Sequence, residues 1–225
     1  MNTPFFSVVM AIIRKDLQAE LRSRELVATM LLFALLSVLA FSFALELDRL
    51  AREEVVSGVL WVTVIFASLL GLNRSMSIER ENDSIDAMLL TPIPRSAIFV
   101  GKLVGNYLFT ATVGIALLPL MTILYNINML NLWVIATLLL GTLGICITGT
   151  LLAAMTVQTR AREALLPIVM LPVVLPILLA AVKATTGIIN NAPVSDWQTW
   201  PQVLLIVDII YLVLCLLMFS YVIEE

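Results

Sequence analysis

The residues best placed to do chemistry are eight charged side chains between positions 74 and 102, in a chain where only 13% of residues are charged. Both signs are equally represented: Arg74, Arg80, Arg95, Lys102, Glu79, Glu81, Asp83 and Asp86. Charges of mixed sign pair with complementary charges on another protein and fix the orientation of the contact. The sequence therefore predicts that this segment is a docking surface for a partner outside the membrane.

Apolar residues recur at helical steps within the same segment, at Ile78, Ile85, Met88 and Leu89, and the prolines that follow them end the pattern. This spacing predicts a short amphipathic helix over residues 76–90, lying parallel to the membrane. It fits a coupling helix that seats in a partner protein. It fits equally an ordinary connecting helix with a solvated charged face, and periodicity alone does not choose between them.

The composition of the whole chain is typical of a membrane protein, with 61% hydrophobic residues and a mean hydropathy of +1.05. A bilayer core needs about 20 apolar residues in a helix. The sequence therefore predicts one all-α membrane domain over residues 1–225. It has an N-terminal amphipathic interfacial helix at residues 5–24. Its six transmembrane helices are predicted at 27–45, 55–72, 103–125, 132–157, 164–186 and 202–223.

Basic residues predict the orientation of these spans. Ten of the 13 Lys and Arg residues fall on one side, in the N-terminal segment, the loop after the second span and the loop after the fourth span. Three fall on the other side: Arg49, Arg52 and Lys183. Basic loops stay in the cytoplasm, so we expect both termini and the loop at residues 73–102 to be cytoplasmic.

Several functions are disfavoured by what the sequence lacks. Gly101-Lys102 has no glycine five residues upstream, so no phosphate-binding loop is present and we expect that the chain does not hydrolyse ATP itself. The chain has no histidine, which argues against a metal site or a histidine-based catalytic centre. A net charge of −3 offers no basic surface for nucleic acid. We therefore expect neither an enzyme nor a nucleic-acid-binding protein.

Three prolines within ten residues mark the fifth span, at Pro167, Pro172 and Pro176. They remove backbone hydrogen bonds, which predicts a kinked helix with a gating or cavity-lining role. In the sixth span, Asp208 is costly to bury in lipid unless it is paired or hydrated. Lys183 is its natural partner, and a structural ion pair and a role in a substrate pathway both remain open.

Small residues recur in the fourth span at steps of three to five residues, which lets helix backbones approach closely. Tight packing within the bundle and a homodimer contact are both open uses of this surface. The residues are Thr137, Gly141, Gly144, Thr148, Gly149 and Ala153.

Several segments resemble the haem exporter protein B (CcmB) family, the permease subunit of the ABC transporter for cytochrome c maturation. They are K-D-L at 15–17, E-L-R-S-R-E at 20–25, L-W-V at 60–62, E-R-E at 79–81, L-L-T-P-I-P at 89–94, and the proline-rich run from Leu165 to Ala181. One position departs from such loops, since Asp83 stands where a glycine is usual.

The resemblance implies a multi-pass protein of the bacterial inner membrane that couples ATP hydrolysis by a CcmA-like ATPase to haem delivery and to release of a haem-loaded, CcmE-like chaperone. It also implies CcmC-like and CcmD-like partners. Haem is then a cargo and ATP acts through the partner, so we expect no directly bound cofactor. The alternatives are an ABC-2-type exporter of lipid, polysaccharide or drug, and a membrane scaffold that does not transport.

By positional match, the resemblance also assigns the ATPase-docking residues. It implies charged contacts to the ATPase from Glu79, Arg80, Glu81, Asp86 and Arg95. It also implies that Met88 and Leu89 form an apolar seat and that Pro92 and Pro94 make a rigid end to the helix.

Overall fold

The computed structural model describes residues 5–44, 49–81, 93–156 and 162–222. These ranges contain eight α-helices and no strand. The helices are α1 (Phe5–Ser23), α2 (Glu25–Ala44), α3 (Arg49–Glu81), α4 (Arg95–Tyr125), α5 (Leu132–Thr156), α6 (Arg162–Ile189), α7 (Val194–Trp197) and α8 (Thr199–Val222).

Six of the helical stretches are long and apolar enough to cross a membrane, which confirms the predicted all-α protein with six spans. They are Glu25–Ala44, Val55–Glu79, Arg95–Tyr125, Leu132–Thr156, Ala164–Ile189 and Val194–Phe219. The protein is therefore a multi-pass membrane protein.

The helices on either side of the charged loop are longer than the apolar spans predicted from the sequence. The second span continues as helix to Glu81, and the third begins at Arg95 rather than at residue 103. The first residues of the predicted coupling helix, 76–81, are therefore the last turns of α3. Its remaining residues, 82–90, lie outside the described ranges.

Helix α5 occupies the centre of the bundle, where it packs against α3, α4, α6 and α8. Its small residues make this possible. A Cβ atom at Gly144 would lie 2.7 Å from Cδ1 of Ile177 on α6, and one at Gly149 would lie 3.1 Å from Cε of Met170. The small-residue surface of α5 is thus used for tight packing within one chain.

A sharp reversal joins α1 to α2. Arg24 adopts the left-handed conformation, with φ of 54°. The Glu20 carboxylate accepts hydrogen bonds from the backbone N–H groups of Leu26 (3.3 Å) and Val27 (2.9 Å), which otherwise have no partner in the first turn of α2. This cap fixes the direction in which α1 leaves α2, and α1 then packs against α4.

Candidate functional site

Four charged side chains from three helices meet at the end of the bundle where α3 ends and α4 begins. Nζ of Lys102 lies 2.6 Å from Oε1 of Glu79 and 2.8 Å from Oδ2 of Asp16. Nζ of Lys15 donates to the same Glu79 oxygen at 2.7 Å. We call Lys15, Asp16, Glu79 and Lys102 the ion cluster. It ties α1, α3 and α4 together.

The ion cluster is largely withdrawn from solvent. The side chains of Lys102, Glu79 and Asp16 are 5%, 7% and 11% exposed, and that of Lys15 is 46% exposed. Two cations face two anions, so the charges balance. Buried ions of this kind are tolerated only when paired, because removing one partner leaves an uncompensated charge.

Lys15 keeps its charge at every physiological pH. Partial burial alone would lower the pKa of Lys15, but its hydrogen bond to Glu79 and the attraction of Glu79 and Asp16 outweigh burial and raise that pKa above its usual 10.5. A group whose pKa rises on folding contributes stability that is complete below the unfolded pKa. That stability is lost only as the pH rises through the folded pKa, which here means strongly alkaline conditions.

Two glycines allow α1 to come close enough to form the ion cluster. A Cβ atom at Gly101 would lie 2.9 Å from Ile12, and one at Gly105 would lie 3.3 Å from Oδ2 of Asp16. Gly101 and Gly105 are one turn apart on α4, as Ile12 and Asp16 are on α1. Lys15 and Asp16 were not predicted as site residues. The available signal was Lys102 between two glycines one helical turn apart, G-K-L-V-G at residues 101–105.

The predicted docking residues fall into three groups. The position of Glu79 corrects its predicted role, since its carboxylate is buried in the ion cluster and is not an exposed contact. Arg80 and Glu81 lie in the last turn of α3, exposed Pro94 precedes α4, and Arg95 begins α4. The remaining predictions lie outside the described residues: Asp86, Met88, Leu89 and Pro92.

The three prolines of the fifth span do not share one environment. Helix α6 continues from Arg162 to Ile189 through all of them. Pro172 and Pro176, four residues apart, share a face that is exposed on the outside of the bundle, and their gating or cavity-lining role stays a prediction. Pro167 is half-buried and borders an open groove.

Asp208 is buried in the bundle without a partner. It packs against Gly144 of α5, is 3% exposed, and neither carboxylate oxygen has a hydrogen-bond partner in the described part of the chain. The hypothesis of an ion pair with Lys183 is therefore wrong. Ile177, not Lys183, is the residue of α6 that packs against Gly144 beside Asp208, and Lys183 lies about 9 Å further along the helix on an exposed face.

A groove of about 530 Å³ opens between α2, α3 and α6 at the end of the bundle that holds the ion cluster. Its apolar wall consists of Phe33, Phe66, Leu69, Leu70 and Pro167, and its polar rim consists of Glu25, Thr29, Asn73, Arg74 and Ser77. Nη2 of Arg74 donates to Oε1 of Glu25 at 2.6 Å, which joins α3 to α2 across the rim.

The family model described as CcmB protein matches residues 7–224, which is nearly the whole chain. The chain belongs to the CcmB family. All four residues of the ion cluster and all ten residues of the groove lie inside the range that matches CcmB.

Individual relatives agree with the CcmB assignment. A protein named Heme exporter protein B from Rhodobacter capsulatus is 29% identical over 170 residues, which cover 75% of this chain and 78% of the relative. Proteins of the same name from Haemophilus influenzae and Escherichia coli are each 27% identical, over 83% of this chain and 85% of the relative. The similarity to CcmB proteins thus extends over most of the length of each.

Proposed function

We propose that this chain is the permease subunit of an ABC-type haem exporter that serves cytochrome c maturation in the bacterial inner membrane. The observation that carries the proposal is the match to the CcmB family over residues 7–224, together with relatives that are named Heme exporter protein B. Six apolar helices suit a permease. The name of the relatives favours haem as cargo over lipid, polysaccharide or drug.

In this proposal a separate, CcmA-like ATPase supplies the energy, because the sequence has no phosphate-binding loop of its own. CcmC-like and CcmD-like subunits complete the complex, and ATP hydrolysis drives haem delivery and release of a haem-loaded, CcmE-like chaperone at the outer face. Both termini and the loop between α3 and α4 face the cytoplasm, where the ATPase lies.

The ion cluster gives the proposal a mechanical basis. Residues 82–94 connect α3 to α4 along the chain, and Lys102 and Glu79 bind these two helices to each other. Asp16 binds α1 to the same point. Because separating buried ion pairs is costly, an ATPase that pushes on the loop moves α1, α3 and α4 as one unit. Both α3 and α4 pack against the central helix α5, which passes the movement to the rest of the bundle.

The docking step is tested by Glu81→Lys, which reverses a charge at the end of α3. We expect the ATPase subunit to be lost on co-purification and its ATP turnover to fall to the level of the ATPase alone. Disrupting a charge contact at a protein interface typically weakens binding tenfold or more.

Asp196→Lys is the matched control, since it makes the same charge change at an exposed residue of α7, which lies between the fifth and sixth predicted spans on the side opposite to the proposed docking segment. It should leave the complex intact. If Glu81→Lys is folded by size-exclusion chromatography and both co-purification and ATP turnover are unchanged, the ATPase does not dock on this segment.

A further inference from the structure

We propose that the groove between α2, α3 and α6 is a loading site for the cargo, which holds a tetrapyrrole by its flat face and its carboxylates and leaves the central metal without a protein ligand. This inference rests on the proposed function, which supplies haem as the cargo class. It adds where the cargo binds and what the protein recognises in it.

The wall of the groove suits a flat apolar ring. Phe66 and Leu70 of α3 are 40% and 38% exposed, and they face the groove with Phe33 of α2 and Pro167 of α6. Aromatic side chains bind planar ring systems by stacking and by edge contact. The volume of about 530 Å³ lies within the range of about 300–1,000 Å³ that is usual for sites of small organic ligands.

The rim of the groove suits a carboxylate. Arg74 is partly exposed there, and its planar guanidinium carries five N–H donors arranged to bind carboxylates in a bidentate manner. The bond to Glu25 takes one of these donors. The hydroxyl groups of Thr29 and Ser77 donate to the backbone carbonyls of Glu25 and Asn73, so they are already engaged within their own helices. Among the described rim residues Arg74 carries the one positive charge, so it is the group that attracts an anionic ligand.

A phospholipid would fill the apolar wall with its acyl chains and reach Arg74 with its phosphate, so lipid is the other occupant that the test must distinguish. A ligand with an apolar ring at one end and carboxylates at the other matches both parts of the groove. Haem has this chemistry, because its macrocycle is apolar and its two propionates are ionised. The aromatic wall and the cation at the rim thus match a tetrapyrrole, and the proposed haem cargo makes it the occupant that we infer.

Within the described part of the chain, the ten residues that line the groove include no usual axial ligand of haem iron, that is, no His, Met, Cys or Tyr. Binding here must therefore depend on the ring and its carboxylates alone. A protein that transfers its cargo gains from this, because a coordinate bond to iron would slow release. The site should consequently accept metal-free protoporphyrin IX as readily as haem.

The groove and the ion cluster share α3. Arg74 and Ser77 stand at the rim of the groove, and Glu79 of the ion cluster follows within two turns of the same helix. A displacement of this end of α3 by the ATPase changes the groove at the same time. Loading of the cargo and the ATPase stroke are therefore mechanically connected.

The test uses the full-length protein in lipid nanodiscs, with metal-free protoporphyrin IX followed by fluorescence and haem followed by absorbance. We expect dissociation constants that agree within about threefold. Arg74→Gln should weaken the binding of both ligands about tenfold, as expected for loss of a charge-assisted contact. The dimethyl ester of protoporphyrin IX, which has no carboxylate, should bind weakly to the native protein and be insensitive to Arg74→Gln.

Two controls separate recognition from general damage. Glu25→Gln also breaks the ion pair at the rim but keeps the cation, so it should bind protoporphyrin IX at least as tightly as the native chain does. Arg14→Gln removes the same charge from an exposed position on α1, away from the groove, and should change nothing.

The proposal is overturned if haem binds with the absorbance shift of an axially coordinated iron while metal-free protoporphyrin IX does not bind. It is also overturned if Arg74→Gln and esterification leave binding unchanged, which would assign the groove to lipid or to a second copy of the chain. In both cases coupling of ATP turnover to the permease would be unaffected, so the proposed function would survive with its cargo site elsewhere.

Discussion

Replacing Lys102 with methionine is expected to destabilise the protein by about 3–5 kcal/mol, the usual cost of removing one partner from a buried ion pair. Lys102 and Lys15 each contact both Asp16 and Glu79, but Lys102 is the buried cation of the ion cluster, with a side chain that is 5% exposed. After the substitution, these two carboxylates would share only Lys15, which is 46% exposed. The yield of monodisperse protein on size-exclusion chromatography and the melting temperature in detergent measure the effect.

The comparison of two further variants shows whether charge balance is the cause. Adding Glu79→Met to Lys102→Met removes one buried anion with the buried cation, and we expect most of the lost stability to return. Lys15→Met should cost clearly less than Lys102→Met, because Lys15 is half in solvent. Equal losses for Lys15→Met and Lys102→Met, with no recovery in the double variant, would show that the ion cluster does not hold these helices.

The second large effect is expected at the contact between α3 and α5. Gly141 faces the indole ring of Trp61, and a Cβ atom at position 141 would lie 2.6 Å from Cζ3 and closer still to Cη2. The ring has little freedom to move, because Nε1 donates to Oγ1 of Thr185 on α6 at 3.0 Å and Trp61 is fully buried. Gly141→Ala should therefore destabilise the protein by about 1–3 kcal/mol.

Gly58→Ala is the matched control for Gly141→Ala. Gly58 also lies inside α3, but a Cβ atom there would meet no atom of the described residues within 4 Å. Alanine is the better residue in a helix by about 0.5–1 kcal/mol, so this variant should melt at the same temperature as the native chain or slightly higher. Similar melting temperatures for the two variants would mean that Trp61 does not pack on Gly141 as described.

The six spans could be predicted because hydropathy and length alone require them. The ends of the spans could not be predicted, because hydropathy decreases where charged residues begin although the helix continues. The second and third spans extend as α3 and α4 beyond their apolar stretches to reach Glu79 and Lys102, which stabilise each other inside the protein. Glu79 and Lys102, which hydropathy places at the two ends of a loop, in fact lie within two helices that pair with each other.

The ion cluster depends on contacts between residues far apart in the chain. Lys102 and Asp16 are 86 positions apart, and no local spacing links them. The amphipathic pattern of α1 predicts a helix with one polar face, but it does not say that part of this face packs against α4. Knowing that Gly101 and Gly105 both face α1 requires the tertiary structure.

The directions in which side chains of the last two spans point could not be predicted from the sequence either. Asp208 and Lys183 can be placed at similar depths from their positions in the sequence. Rotation of each helix about its axis is set by packing, however, and it turns Lys183 outward while Asp208 faces Gly144. The same rotation leaves Pro172 and Pro176 on the outer surface, which the regular spacing of the prolines did not indicate.

Every step of the proposed mechanism requires the loop between α3 and α4 to lie on the cytoplasmic side, where ATP is. Single cysteines introduced as Asp86→Cys and Asn190→Cys, followed by labelling with a membrane-impermeant thiol reagent, test this directly. The native thiols Cys146 and Cys215 are buried and give little background. We predict that the cysteine at position 190 is labelled in intact cells and that the one at position 86 is labelled only after the cells are opened; labelling at position 86 in intact cells would contradict the account.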